Sequence, residues 1–217
     1  MKPRMGLLAP ALLAAGLVLY GGTAIGAAYD DFIQAIQKSN PAEVTALLKR
    51  GMDPNSVDRS GQPVLLIAAR EGDLAVLQAL VQAGADIDKR NAMKESAVML
   101  AALAGHVKLV DFLISKEAQI NHPGWTPLLY AATNGHVEVI KLLLENHAYI
   151  DSSSPNGSTP IMMAVRGGHQ AAARLLLEEG ADPAVKNENG ENALAWAEKA
   201  RQTDLAEAMR VKMRAKR

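Results

Sequence analysis

The chain has 217 residues, with 23 basic and 23 acidic side chains, a formal net charge of 0 and no cysteine. The lack of cysteine excludes disulfide bonds, a thiol nucleophile and thiolate metal sites. The balanced charge gives no support for nucleic-acid binding, which requires a strongly basic surface.

The first 28 residues have the order of a secretory signal. Lys2 and Arg4 precede an apolar run from Leu7 to Tyr20, and small residues continue from there to Ala28. A charged start, an apolar centre and a small-residue end predict export, with cleavage near Ala28. The alternative is an uncleaved membrane anchor, because the uncharged stretch from 5 to 29 is long enough for the roughly 20 residues of a spanning helix.

From residue 29 onward, one sequence pattern returns about every 33 residues. Such a period indicates a small supersecondary unit that is copied and stacked, since one unit cannot bury its apolar face alone. We therefore divide the chain into a signal segment (1–28) and a repeat domain (29–217), with units at approximately 29–61, 62–94, 95–124, 125–157, 158–190 and 191–217. An apolar pair sets the register in five of them, at Leu47-Leu48, Leu80-Val81, Leu113-Ile114, Leu143-Leu144 and Leu176-Leu177.

Each unit is predicted to hold two short antiparallel helices and a finger-like loop. Thr126 and Pro127 open a first helix, because threonine caps free N–H groups and proline fits the first turn. A glycine such as Gly105, directly before His106, ends the first helix. The apolar pair then buries the second helix between neighbouring units. Thr159-Pro160 repeats the helix start, and glycine also precedes His136 and His169.

These repeats resemble those of the ankyrin-repeat family over residues 29–217. The resemblance rests on the Thr-Pro-Leu, Ala-Ala, Gly-His and Leu-Leu elements that follow one another between Trp125 and Leu144. It implies an all-α solenoid of about five full repeats and a C-terminal capping repeat, with short hairpin-like fingers. The histidine usual after Thr-Pro-Leu is replaced in each of the last five units, which exchanges a hydrogen-bond network for apolar packing. The replacing residues are Leu66, Met99, Leu129, Met162 and Ala195.

No catalytic residue, cofactor site or metal site is predicted. The sequence lacks a Gly-x-Ser-x-Gly elbow, a His-Glu-x-x-His helix and a glycine-rich phosphate loop. His106, His136 and His169 share one slot in successive units, which favours a structural role over a ladder of metal ligands. Residues 53–55 and 86–88 carry oxygen-bearing side chains at alternate positions, as calcium-binding loops do. They lack the bidentate glutamate that such a loop has at its end.

Partners of this family dock on the concave side, which is formed by the finger tips and the exposed face of the first helices. The resemblance places the candidate protein-binding residues at these exposed slots. They are Arg59, Ser60, Gln62, Arg70, Glu71, Met93, Glu95, Leu103, Trp125, Thr133, Asn134, Asn156, Ser158, Arg166, Glu188, Glu191 and Lys199.

Trp125 is the strongest of these candidates. The finger that leads into it is three residues short, with Asn121-His122-Pro123-Gly124 in place of the usual seven. A short finger beside an exposed tryptophan would leave a notch in the row of fingers. Aromatic side chains in such places are enriched among binding hot spots. The alternative is that Trp125 folds down and plugs the gap.

Three functions are compatible with the sequence. The first is a non-enzymatic periplasmic module that binds another protein and supports or protects an envelope enzyme, without nucleic acid and, once the signal is removed, without stable membrane insertion. The second is an immunity or inhibitor protein that neutralises an exported toxin or enzyme. The third and most remote is a metal-dependent hydrolase. If the signal is retained, the protein is anchored in the inner membrane and faces the periplasm.

Overall fold

The computed structural model describes the backbone of residues 21–215 and the side chains of residues 26–215. Over this part of the chain, twelve helices form six consecutive pairs. The pairs are α1 (Gly21–Gln37) with α2 (Pro41–Lys49), α3 (Val64–Glu71) with α4 (Leu74–Gln82), α5 (Ala97–Ala104) with α6 (Val107–Ser115), α7 (Pro127–Asn134) with α8 (Val137–Glu145), α9 (Pro160–Arg166) with α10 (Gln170–Glu178), and α11 (Ala193–Lys199) with α12 (Thr203–Ala215).

The pairs stack into two rows of helices. The first helices of the pairs contact one another in chain order from α1 to α11, and the second helices do the same from α2 to α12. One continuous apolar cluster runs between the rows, from Phe32 in α1 to Met209 in α12. This arrangement confirms the all-α solenoid, in which every unit completes its core with its neighbours.

The predicted signal segment lies mostly outside the described residues. Helix α1, described from Gly21 onward, continues through Ala28 to Gln37, with Phe32 and Ile36 fully buried. Among the helices within residues 21–215, none has the length and apolar character needed to cross a membrane. Cleavage near Ala28 and the rival membrane anchor therefore both stay predictions.

The helix boundaries follow the predicted start and stop residues. Helix α7 begins at Pro127, and the backbone N–H of Leu129 donates to Thr126 Oγ1 at 3.3 Å. Gly105 and Gly135 end α5 and α7 in the left-handed conformation. The helix end before His169 differs from the prediction. Helix α9 already ends at Arg166, and two glycines follow it, the second with φ 75°.

The three repeated histidines join each repeat to the one before it. In each case the ring Nε2 lies at hydrogen-bond distance from a backbone carbonyl oxygen of the preceding first helix. A carbonyl oxygen only accepts, so Nε2 carries the proton and donates. The predicted structural role is therefore confirmed by His106 to Arg70 (3.1 Å), His136 to Leu103 (2.9 Å) and His169 to Thr133 (3.0 Å).

We expect Gly135→Ala to destabilise the fold more than Gly180→Ala. Both glycines have positive φ, which costs an alanine about 1–2 kcal/mol. A Cβ at Gly135 would also lie 2.5 Å from Cγ of His169, whereas nothing lies within 4 Å at Gly180. This overlap adds about 1–3 kcal/mol to the loss. Urea unfolding of the two variants measures the difference, and equal losses would contradict this packing.

The residue four positions after the first member of the apolar pair is left-handed in five repeats. Three are glycines, but Glu117 has φ 62° and His147 has φ 65°. We therefore expect Glu117→Gly to increase the free energy of unfolding by about 1 kcal/mol, because the strain on the side chain is removed. The control Lys141→Gly, at an exposed position inside α8, should decrease it by about 1 kcal/mol. Chemical denaturation measures the free energy of unfolding of both variants. A decrease in Glu117→Gly would refute the assignment of strain.

Candidate protein-binding site

Four fingers within residues 21–215 share a five-residue tip. The backbone N–H of the first tip residue donates to the carbonyl oxygen of the fifth at 2.8–3.0 Å. A side-chain oxygen of the first residue accepts from the N–H of the fifth at 2.9–3.2 Å. Short polar side chains therefore close the tips, as expected for residues that bond to their own backbone. The tips span 58–62, 91–95, 154–158 and 187–191.

A second set of bonds joins the bases of successive fingers. A side-chain oxygen from one repeat accepts from a backbone N–H of the next repeat at 2.8–3.0 Å in four places. This base ladder includes the short finger, where Asn121 Oδ1 binds the N–H of Tyr149. The short finger therefore keeps its base and lacks only its tip. The other three acceptors are Asn55, Asp88 and Asp151, with donors at Asp86, Gln119 and Asp182.

The missing tip leaves a cavity of about 220 Å³ between the finger before and the finger after. We call this cavity the notch. Its walls come from three consecutive fingers and from the first helices α5 and α7. The lining residues are Arg90, Met93, Lys94, Glu95, Met99, His122, Pro123, Gly124, Trp125, Tyr130 and Pro155.

Trp125 forms part of the notch wall and is half-buried. Its ring centroid lies 5.2 Å from that of Tyr130, with 42° between the ring planes, and it packs against the apolar core. Tilted aromatic pairs at this distance are mutually stabilising. The structure thus combines features of both predictions: Trp125 is anchored on the core, yet a cavity remains beside it.

A hydrogen-bond network holds the helix side of the notch in place. The Tyr130 hydroxyl donates to Glu95 Oε1 at 2.8 Å, and Asn91 Nδ2 donates to Glu95 Oε2 at 2.7 Å. Burial, together with the bond to Glu95 and the charge of that carboxylate, raises the pKa of Tyr130. The phenol therefore stays protonated and keeps donating at physiological pH.

His122 is the one histidine among the residues that line the notch. Its Nδ1 lies 3.1 Å from the carbonyl oxygen of Pro123, so Nδ1 carries the proton and Nε2 of the neutral ring is an acceptor. Burial lowers the pKa of His122, and the positive charge of Arg90 lowers it further. The bond to Pro123 opposes both effects. Within the described part of the chain, Nε2 is buried without a hydrogen-bond partner.

The structure separates the predicted binding residues into three groups. Trp125, Met93 and Glu95 meet at the notch. The second group is exposed on the surface and comprises Arg59, Ser60, Arg70, Glu71, Asn134, Asn156, Arg166, Glu188 and Lys199. The third group is buried in part or in full and comprises Gln62, Leu103, Thr133, Glu191 and Ser158.

The structure corrects the predicted exposure of Ser158. The prediction that it is exposed is wrong, because the residue is fully buried. It is the fifth residue of its tip, and its backbone N–H is bonded to Ser154 Oγ at 3.2 Å. Ser158 therefore closes a finger and does not present a side chain to a partner.

Sequence reasoning missed several notch residues. Arg90 and Lys94 come from one repeat and Tyr130 and Pro155 from another, and only the fold brings them together. One available clue was Lys94, which stands where the other three tips have glycine. The glycines are Gly61, Gly157 and Gly190.

The oxygen-rich loops considered as calcium sites have structural roles. Asn55 and Asp88 each accept a backbone N–H in the base ladder, and Asp53 Oδ1 accepts the N–H of Asn55 at 2.8 Å. In the described part of the chain, no group of three or more His, Asp or Glu side chains is arranged to hold a metal ion.

The family assignment follows from the repeats that build this site. Family models for ankyrin repeats match residues 65–154 and 146–213 in their three-copy form and residues 32–81 in their many-copy form. The chain belongs to the ankyrin-repeat family. Repeats of this family bind other proteins, so the chain is a protein-interaction module in the general sense.

Curated ankyrin-repeat proteins are similar to parts of this chain. SH3 and multiple ankyrin repeat domains protein 1 of Mus musculus is 34% identical over 58% of this chain and 6% of its own length. Putative ankyrin repeat protein YahD of Escherichia coli (strain K12) is 29% identical over 46% of this chain and 69% of its own. The human Notch-regulated ankyrin repeat-containing protein is 35% identical over 39% of this chain and 78% of its own length. The chain thus spans a small fraction of the first of these relatives.

Proposed function

We propose that this ankyrin-repeat protein is a non-enzymatic module that binds one partner protein on its concave face, centred on the notch. The observation that carries the proposal is the loss of a single finger tip, which opens a cavity lined by Trp125, Tyr130 and Met93. Rigid aromatic side chains beside a preformed cavity are the usual anchors of protein interfaces. The base ladder keeps the surrounding fingers in register, so the site is preorganised.

We also propose that the protein works in the periplasm of a bacterium. The support is the signal-like order of residues 1–28 in the sequence. An inner-membrane protein that faces the periplasm is the alternative. Fractionation of cells that produce the full chain with a tag after Arg217 separates the two: a shortened periplasmic product supports cleavage, a full-length membrane product supports the anchor, and a cytoplasmic product rejects both.

Two roles are open to such a module. It supports or protects an envelope enzyme, or it acts as an immunity or inhibitor protein that neutralises an exported toxin or enzyme. A single compact notch is compatible with one-partner inhibition. The inhibitor role requires very tight binding and loss of the partner's activity, whereas the supporting role requires that the partner keeps its activity when bound.

The test of the binding function is capture of partners from the cell envelope with the full chain, tagged after Arg217. The control bait carries Tyr149→Ala, which removes an aromatic ring that is 68% exposed and lies outside the notch. We expect one protein to be retained by both baits and to be identified by mass spectrometry. Featureless eluates from both baits would contradict a stable protein-binding function.

A further inference from the structure

The basic residues of the concave face differ in whether they are paired. Away from the notch, Arg59 binds Asp30 at 2.8 Å, and Arg70 lies 3.4 Å from Glu71. Lys199 is bonded to Glu191, and Arg166 lies over the Trp196 ring. At the notch, Arg90 and Lys94 have no ion-pair partner among the described residues. The exposed finger residues Lys89 and Lys186 also lack one, but only Arg90 and Lys94 line the cavity.

The two acidic side chains near these cations accept hydrogen bonds from other groups. Both carboxylate oxygens of Glu95 accept hydrogen bonds, from Tyr130 and from Asn91. Asp88 accepts the backbone N–H of Gln119 in the base ladder. The rim of the notch therefore carries two cationic groups that no neighbouring carboxylate binds. They stand beside the rings of Trp125 and Tyr130, and the one carboxylate of the lining, Glu95, is bonded to Tyr130 and Asn91.

Lys94 is also held in a strained backbone conformation. Its φ is 63°, at the tip position where the other three fingers have glycine. A side chain there costs stability, and strain of this kind is concentrated at functional sites. Lys94 is therefore both the strained residue of this tip and one of the two unpaired cations of the notch.

We propose that the notch binds an acidic linear segment of a partner protein. Carboxylates of the segment pair with Arg90 and Lys94, and an apolar or aromatic side chain enters the cavity between Met93 and Trp125. Charge complementarity selects the segment and the aromatic wall holds it. This inference rests on the proposed function and specifies the chemistry of the partner.

The test is selection of a random linear peptide library on the immobilised full chain. The probes are the selected peptides, resynthesised with a fluorophore and titrated by anisotropy. We expect enrichment of Asp and Glu next to an aromatic or large apolar residue. Binding should weaken about three- to tenfold in Arg90→Gln/Lys94→Gln, because each exposed pair contributes modestly, and should weaken further with added salt.

Charge reversal gives the sharper comparison. Selection on Arg90→Glu/Lys94→Glu should yield basic peptides, whereas the matched control Lys108→Glu/Lys141→Glu, on exposed positions of α6 and α8, should still yield acidic ones. Lys94→Gly separates strain from binding: it should raise the urea midpoint and weaken peptide binding in the same protein.

Each outcome decides between this inference and the broader function. Enriched peptides that are not acidic, or that bind the charge-reversed variant equally well, overturn the acidic segment but leave a protein-binding module. No enrichment above a surface without protein overturns the inference, and the envelope capture then decides the broader function separately.

Discussion

Replacing Leu143 by alanine is expected to decrease the free energy of unfolding by about 2–5 kcal/mol. Leu143 is fully buried in α8, in the row where α8 packs between α6 and α10. Removing its side chain leaves a cavity in the centre of the stack, where both neighbouring interfaces lose contacts. In a one-dimensional array such a defect also uncouples the two halves.

The measurement is urea unfolding followed by circular dichroism, with Lys141→Ala as the matched control. Lys141 is exposed on the same helix, so its replacement should change the free energy of unfolding by less than about 0.5 kcal/mol. We expect the Leu143→Ala transition to broaden or to split into two steps. A loss no greater than that of the control, or of Arg59→Ala on the exposed concave face, would contradict the assigned register.

Replacing Trp125 by alanine is expected to weaken partner binding by about 2–4 kcal/mol, or about 30- to 1,000-fold in Kd. The indole lines the notch and is held by the Tyr130 ring and the core, so it is rigid before the partner arrives. A rigid anchor loses little conformational freedom on binding. Its removal deletes one wall of the cavity.

This experiment also distinguishes an anchor from a plug. Calorimetric titration of the captured partner gives the affinity, and denaturation of the free variant gives its stability. Tyr149→Ala serves as the aromatic control in both. An unchanged Kd together with a large loss of stability would show that Trp125 fills a structural gap and does not contact the partner.

The repeat period and local signals were sufficient to predict the solenoid. Thr126-Pro127, Gly105 and the histidines act within one repeat or between equivalent positions of neighbours, so their roles can be derived from periodicity. Ser158 was misplaced because its position in the unit suggested an exposed tip. Its burial depends on how the tip closes on Ser154.

The notch itself was only partly predictable. The three-residue deletion and Trp125 were visible in the sequence, and they correctly located a gap in the finger row. The pairing of Tyr130 with Glu95 spans 35 residues and joins two repeats. Whether Arg90 and Lys94 are paired depends on side-chain geometry that no sequence period encodes.

The central claim is that the missing finger tip creates the binding site. The most direct test restores the tip, by replacing residues 122–124 with the six residues 152–157, so that the third finger regains the length of its neighbours. The captured partner is then titrated against the parent protein and this variant. We predict that the variant unfolds at least as cooperatively as the parent but no longer binds the partner, because the notch is filled. Undiminished binding by a folded, finger-restored protein would contradict the account.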